Sequence, residues 1–239
     1  MIASVHLADV GKPAALRLLR TKLDAAKVPG LRYAVVVIAA PLSGHLLPRP
    51  NPDRVGLIAA WDDDRAVDGF LAGHPLAEQL AHGWHVRLAP TRIFGAWPQL
   101  RGLLASEQPM DDAEPAAVLT LGRLRLSQTI RFLKASAAAE GLVVRDPALL
   151  ASTGLARPPA LVATFSLWRS TAAMRAYAHG HADPRHLAAI QAHATRPFHH
   201  ESAFVRFRPY GAEGNWDGCD PLAATRSEAF GAGVASSPY

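Results

Sequence analysis

The chain contains two segments with the same order of sequence patterns, and this internal repeat constrains the fold more than any other feature. In the first segment an apolar run ends at Trp61, a helical stretch follows, and a strand-like run closes with Gly95 and Trp97. The second segment has a similar run ending at Trp168 and another closing at Trp216. Its helical stretch is longer by about twelve residues, and extra residues concentrated in one place of a repeat often lie on the functional face.

Each segment predicts the element order strand, helix, strand, strand, helix, strand, from its alternating and helical apolar spacings. In the first half we predict strands at residues 3–10, 32–40, 54–61 and 84–97 and helices at 13–26 and 62–83. In the second half we predict strands at 117–125, 142–145, 160–168 and 203–216 and helices at 127–139 and 170–194. Ser127 is a plausible N-cap of the first of these two helices.

This order is the ferredoxin-like one, so the predicted fold class is α+β, with tandem ferredoxin-like repeats forming an α+β barrel. The barrel interior can be packed or can hold a ligand. The alternative is two independent halves that pair with another chain. We predict a first half at residues 1–98, a linker at 99–115, a second half at 116–222 and a flexible tail at 223–239.

Composition narrows the class of protein. The chain has 239 residues, 49% of them apolar and 19% charged, which is typical of a soluble globular protein. No apolar run approaches the roughly 20 residues that span a bilayer, and early basic residues argue against a signal peptide, so we expect a cytoplasmic protein. The net charge of +5 comes from scattered arginines without a recognisable module, so we expect no nucleic-acid partner.

Several standard sites are absent from the sequence. The single Cys219 excludes an intrachain disulfide and any cysteine-cluster zinc or iron–sulfur site. No dinucleotide fingerprint, P-loop, nucleophile elbow or His-Glu-x-x-His motif occurs. Close carboxylate pairs occur only in acidic runs typical of solvated surface, which leaves glycosidase-type chemistry unsupported.

Six of the eleven histidines lie within residues 176–202, which raises the question of a metal or cofactor site. His186 follows Asp183 and Pro184, an N-cap and a first helical residue, and therefore falls in the first turn of a predicted helix. It lies beside the apolar stripe that contains Ile190, and His193 follows two turns later. A neutral imidazole that projects from a helix into a cavity can bind iron or zinc.

The other histidines are weaker candidates. His179 and His181 form a His-Gly-His pair, but no third ligand follows at a convincing spacing, so a non-haem metal site is disfavoured. His199 and His200 are adjacent just before a predicted strand, so at most one of them faces inward, and we expect His200, next to Glu201, to be a structural residue or one that orients a ligand. Two more histidines are weak candidates. We predict that His74 lies where a loop leads into a helix and that His45 lies in a Gly/Pro-rich loop.

Four stretches resemble the spheroidene monooxygenase family, bacterial carotenoid ketolases and their relatives. These are PALVATFSLWRS, HLAAIQA, ESAFVRFRPYGAEGNWDGCDPL and RLAPTRIFGAW, within residues 55–222. The resemblance implies a haem-dependent oxygenase that inserts oxygen at an allylic carbon of an acyclic carotenoid. It also implies a fold akin to the dimeric α+β barrel haem proteins, such as chlorite dismutases and aldoxime dehydratases, which bind haem through a helix histidine.

The resemblance implies haem b as cofactor, with the family's His-x-x-Ala-Ile motif placing the iron ligand at His186. The residues expected to contact the cofactor are His186, Ile190, His193 and Phe165. Arg206 and Ser166 are the candidate catalytic residues, although alternation alone leaves open which face of the sheet they occupy. The expected partners are a small apolar substrate, dioxygen or peroxide and a ferredoxin-type electron donor. We also expect peripheral membrane contact and a homodimer.

Three alternatives stay open at this stage. The same haem barrel could act on a nitrogen–oxygen bond, as aldoxime dehydratases do. It could also bind haem or another small ligand without turnover. A third alternative is a barrel oxygenase that uses no cofactor.

Overall fold

The computed structural model describes residues 1–42, 51–104, 109–179, 197–223 and 225. Eight strands lie in the described residues: β1 (Ile2–Asp9), β2 (Leu31–Ala40), β3 (Asn51–Trp61), β4 (Trp84–Ala96), β5 (Ala116–Leu124), β6 (Leu149–Arg157), β7 (Leu161–Trp168) and β8 (His199–Gly214). The helices there are α1 (Lys12–Leu18), α2 (Asp64–Gly73), α3 (Pro75–Leu80), α4 (Thr129–Val143) and α5 (Thr171–His179). Two short 3-10 helices cover Pro98–Leu104 and Leu126–Gln128.

The eight strands form a closed barrel in the order β1-β3-β2-β6-β7-β5-β8-β4. Every neighbouring pair is antiparallel, and the two halves join where β2 pairs with β6 and β4 pairs with β8. The predicted α+β barrel of two ferredoxin-like repeats is confirmed. Closing the sheet on itself removes the free edges that each half alone would expose.

The barrel interior is filled by side chains. Alternate residues of every strand point inward, and one from each strand illustrates the packing: Val5, Val37, Ile58, Val86, Leu119, Leu155, Phe165 and Val205. Trp84, Phe165 and Trp216 stack against one another there, with ring centroids 5.3 to 6.3 Å apart. Leu100 and Leu103, from the stretch between the halves, are buried in the same cluster. Of the two uses predicted for the interior, packing is the one observed.

Three local predictions were wrong. Helix α1 ends at Leu18, because the chain turns there and does not continue to residue 26. A strand was predicted at residues 142–145, but α4 continues through Val143 because its helical apolar spacing continues there. The corresponding strand begins later in the chain, as β6. Ser127 does not cap α4; a 3-10 turn precedes the helix, and the Thr129 hydroxyl donates to the Leu126 carbonyl at 2.8 Å.

The helices cover the outer face of the barrel. In the first half, α1, α2 and α3 pack on a continuous apolar cluster that includes Leu57, Trp61 and Phe70. In the second half, α4 and α5 lie on the outer face of the sheet, where Trp168 and Met174 are buried. None of the helices in the described ranges is long and apolar enough to cross a membrane.

Candidate functional site

A cavity of about 460 Å³ lies on the outer face of the second half, between the sheet and α4. Its volume is within the range of pockets that hold small molecules and cofactors. The sheet forms its floor, Phe132, Leu133 and Ser136 of α4 form one wall, and Leu42 after β2 and Phe198 before β8 close the sides. The site is therefore outside the barrel, on the face opposite to the packed interior.

Two rows of short side chains make the floor flat. The strand register aligns Gly154, Thr164, Thr120 and Phe204 across β6, β7, β5 and β8. The next row along the strands consists of Ala156, Val162, Gly122 and Ser202. All eight line the cavity. Apart from Phe204 none is larger than valine, so the sheet leaves a shallow slot beneath α4.

The equivalent face of the first half is packed with side chains among the residues that the structure describes. The outward residues of β3 are apolar there, and two large ones, Leu57 and Trp61, are completely buried under the helices. Thr164 stands at the position of β7 that corresponds to Leu57, counted back from Trp168 and Trp61. Smaller side chains on the second sheet leave the volume that the first sheet fills, because closely packed interiors retain a void only where side chains are short.

His199 brings an imidazole to the cavity wall. Its ring lies against Phe132 edge-on, with centroids 5.2 Å apart at 74°, and over the backbone of Gly122. The expectation that His200 has the structural role was wrong, because His199 is the member of the pair whose ring packs against Phe132 and lines the cavity. A register irregularity at Leu124 sets the pairing of His199, and His200 is exposed to solvent.

The remaining polar groups of the cavity are few and are placed on opposite walls. Thr120 and Thr164 are cross-strand partners on the floor. On α4 the Ser136 hydroxyl donates to the Glu140 carboxylate at 2.8 Å, one helical turn apart. A mainly apolar pocket with a few converging polar groups is the usual form of a small-molecule site.

The predicted iron ligand is outside the described residues. His186, Ile190 and His193 all fall in residues 180–196, and His45 falls in residues 43–50. Phe165 is described and points into the packed barrel interior, so it is not among the residues that line the cavity.

The two candidate catalytic residues lie on the same face as the cavity, one row beyond it. Ser166 and Arg206 are aligned through Val118, which pairs with both. The Ser166 hydroxyl accepts a hydrogen bond from the Trp168 indole at 3.0 Å. In the first half the Trp61 indole donates to the Ser4 hydroxyl at 2.9 Å, so each half anchors the tryptophan on a serine, which lies on the adjacent strand β1 in the first half and on β7 itself in the second.

Other histidines have structural roles. The Nδ1 atom of His74 accepts a hydrogen bond from the Leu76 N–H at 3.1 Å and caps α3, which confirms the prediction of a loop-to-helix residue. His6 is buried in the first half, stacked on His85 with centroids 5.2 Å apart. Across the described part of the chain, no three His, Cys, Asp or Glu side chains are grouped to hold a metal ion.

Most residues of the cavity wall were not predicted from the sequence. A contrast between the halves could have indicated part of it, because Thr164 occupies the position of Leu57 and Thr120 occupies that of His6. The contribution of α4 had no comparable signal, because its apolar spacing is the same whether the helix packs on a sheet or covers a cavity.

The chain is similar to proteins of known name. It is 33% identical over 195 residues to the spheroidene monooxygenase of Rubrivivax gelatinosus, which covers 80% of this chain and 73% of that relative. It is 30% identical over 184 residues to the spheroidene monooxygenase of Rhodobacter capsulatus, covering 74% and 75% of the two chains. A crystal structure of an aldoxime dehydratase with butyraldoxime shares the fold, with a TM-score of 0.58 at 12% identity over 94% of this chain and 84% of that one. No protein-family model matches the sequence.

Proposed function

Because the chain belongs to the spheroidene monooxygenase family, we propose that it is a haem-dependent monooxygenase that inserts oxygen into a lipophilic substrate. The names of the relatives support the oxygenase role. The observation that carries the haem proposal is the cavity of about 460 Å³ on the outer face of the second half.

The described residues fit a large, flat, apolar group. The floor of short side chains leaves room for a planar ring system, and Phe132 and Phe204 can contact its faces and edges. One imidazole, that of His199, is at the wall. We propose His186 as the iron ligand, with Ile190 and His193 near the cofactor, on the motif that this chain shares with the family.

Bound haem would supply the activation of dioxygen or peroxide that an unreactive C–H bond requires. The protein residues then have three tasks. The apolar walls exclude water and orient the substrate. Thr120 and Thr164 can donate hydrogen bonds from their hydroxyls to an oxygen atom above the floor, and His199 can hold or release a proton at a ring nitrogen. Repeated oxygen insertion at one carbon gives a carbonyl, and a ferredoxin-type donor would supply the electrons.

The first experiment is an absorption spectrum of the protein produced with a haem precursor. The wild type should show a Soret band, and His186→Ala should lose it or shift it strongly. His200→Ala is the matched control, since His200 is exposed and should leave the band unchanged. A wild type without a Soret band would reject haem, and a band unaltered in His186→Ala would reject that ligand.

A second experiment tests the location. Val162→Trp should fill the slot from its floor and abolish haem binding while the protein still unfolds at a similar temperature. Val144→Trp, at the partly exposed end of α4, is its control and should bind haem normally. Haem bound equally by both variants would place the cofactor elsewhere.

Turnover separates an oxygenase from a carrier. The haem-loaded protein should convert a lycopene-type polyene, with a reductant and isotopically labelled dioxygen, into a product that contains the label. If haem binds but no labelled product forms with any reductant or with peroxide, the protein is a haem carrier or acts on another bond type.

A further inference from the structure

Leu126 and Ile130 are the two most exposed large apolar side chains of the described residues, with exposed fractions of 61% and 72%. They lie four residues apart, where the 3-10 helix Leu126–Gln128 leads into α4. A single exposed apolar side chain is common on protein surfaces and needs no explanation. Two of them at one end of a helix form a patch, and apolar patches rimmed by polar residues mark interaction surfaces.

Helix α4 has two different faces. Phe132, Leu133 and Ser136 line the cavity, whereas Ile130 and Lys134, one turn apart on the helix, are exposed to solvent. The aliphatic side chain of Ile130 gains almost no burial from the fold. Insertion into an apolar phase outside the protein would remove it from water.

Basic residues flank the apolar patch. Arg125 and Lys134 are exposed, and Arg131 is partly exposed. Residues 115–139 contain no Asp or Glu, so no carboxylate of this segment offsets the positive charges. Aliphatic side chains surrounded by arginine and lysine are typical of a surface that binds an anionic bilayer. We name this set the α4 surface: Arg125, Leu126, Ile130, Arg131 and Lys134.

The α4 surface adjoins the cavity. The Arg125 N–H donates to the Phe198 carbonyl at 2.8 Å, and the Arg131 guanidinium lies 4.8 Å from the centre of the Phe198 ring. Phe198 and Phe132 both line the cavity, with ring centroids 6.1 Å apart. A bilayer against the α4 surface would therefore bring the apolar molecules dissolved in it close to the side of the cavity that these two rings line.

We propose that the α4 surface docks the protein on an anionic lipid bilayer. Leu126 and Ile130 insert below the lipid headgroups, and the three basic side chains contact the lipid phosphates. Long basic side chains suit this position, because their methylene stems stay in the apolar layer while their charged ends reach the phosphates. The proposal does not depend on haem, and it gives residues to the membrane contact expected from the sequence.

The test measures how much of the purified protein sediments with lipid vesicles. Vesicles of phosphatidylcholine alone are compared with vesicles in which about one third of the lipid is phosphatidylglycerol. The wild type should bind the anionic vesicles at least about tenfold more tightly. Leu126→Ser/Ile130→Ser should weaken this binding about tenfold. Arg125→Gln/Lys134→Gln should weaken it about fivefold for each charge removed.

The first half offers matched controls. Leu16 of α1 has a 59% exposed side chain, and Leu16→Ser should bind vesicles as the wild type does. Arg20→Gln/Arg65→Gln removes two charges at exposed positions and should weaken binding far less than Arg125→Gln/Lys134→Gln. Circular dichroism checks that each variant folds. Should Leu126→Ser/Ile130→Ser not fold, the comparison of the two charge variants decides the question.

Three results would overturn the proposal. The first is no binding, or equal binding to both kinds of vesicle. The second is wild-type binding by Leu126→Ser/Ile130→Ser or by Arg125→Gln/Lys134→Gln. The third is a light-scattering result in which Leu126→Ser/Ile130→Ser turns a dimer into a monomer and leaves vesicle binding unchanged, since a second copy of the chain then covers the surface. Vesicle binding is measured without haem, so a failure of the haem proposal does not alter these outcomes.

Discussion

The imidazole of His199 occupies the space that any side chain at position 122 would need. A Cβ atom on Gly122 would lie 2.5 Å from Cδ2 and 2.6 Å from Nε2 of His199, well inside contact distance. The two residues lie on adjacent strands, β5 and β8, at the edge of the cavity floor. The absence of a side chain at position 122 therefore sets the position of the imidazole in the cavity.

Gly122→Ala should displace His199 with little effect on stability. The obstructing atoms belong to a ring that can rotate away, so we expect the free energy of unfolding to change by less than about 1 kcal/mol. Haem binding or the Soret position should change, as measured by titration and absorbance. In Gly69→Ala, on α2, the added methyl meets no atom within 4 Å, and that variant should gain roughly 0.5 to 1 kcal/mol with an unaltered spectrum. Identical spectra for both variants would contradict a role for the His199 position.

Phe165 and Phe204 lie on opposite faces of the second sheet, so their truncation should have opposite consequences. Phe165 is fully buried among Trp84 and Trp216, and Phe165→Ala should cost about 3 to 5 kcal/mol of unfolding free energy. Phe204 is half exposed, and Phe204→Ala should cost less than about 1 kcal/mol but weaken haem binding. Chemical denaturation and haem titration measure the two effects. A large loss of stability in Phe204→Ala would overturn the assignment of its face.

Ser166 should contribute to stability through Trp168. Ser166→Ala removes the acceptor of a buried indole N–H, and we expect a loss of about 1 to 2 kcal/mol in the free energy of unfolding. Ser4→Ala removes the acceptor of Trp61 and also the hydrogen bond between Ser4 and His6, so it should lose at least as much stability. Urea unfolding of both variants checks this. A stability of Ser166→Ala equal to that of the wild type would show that the hydrogen bond from Trp168 contributes nothing.

The buried His6 should make stability depend on pH. Its Nε2 lies 3.0 Å from the Ser4 hydroxyl, and burial, with smaller effects of His85 and Arg87, lowers the pKa of His6 from 6.5 to about 3. Between these values the unfolded chain binds a proton that the folded protein does not, so stability falls as the pH falls through this window.

From about pH 7 to about pH 5 we expect His6 to account for a loss of about 2 kcal/mol in the free energy of unfolding. Urea titrations across this range give the slope. His6→Gln should flatten it, whatever its own stability, whereas His82→Gln, at an exposed position, should keep the wild-type slope. A slope unchanged in His6→Gln would show that another group titrates.

The strands and their pairing into two halves could be predicted from the sequence because each depends on local spacing. Trp61 and Trp168 mark equivalent strand ends, and the structure shows both indoles donating to serine hydroxyls. The boundaries of α1 and β6 could not be predicted, since an apolar run of a few residues fits the end of a helix as well as a strand.

The proposed haem ligand was predicted from a sequence motif, whereas no motif predicted the cavity. Alternation along β7 separates Phe165 from Ser166 but does not say which of them faces the interior. The sequence also could not predict whether His199 or His200 lines the cavity. That depends on an irregularity of strand register at Leu124, which no local sequence pattern predicts.

The sequence by itself determined that the chain has two copies of one α+β unit and which residues share a face of each strand, because apolar periodicity is a property of neighbours along the chain. Only the tertiary structure decided which face became the interior. Closing the two sheets into one barrel buried Phe165 and its neighbours and turned Thr120, Gly122 and Thr164 outward beneath α4. That choice depends on the packing of strands far apart in sequence, since alternation shows which residues share a face and does not show that α4 lies over the face that carries the threonines.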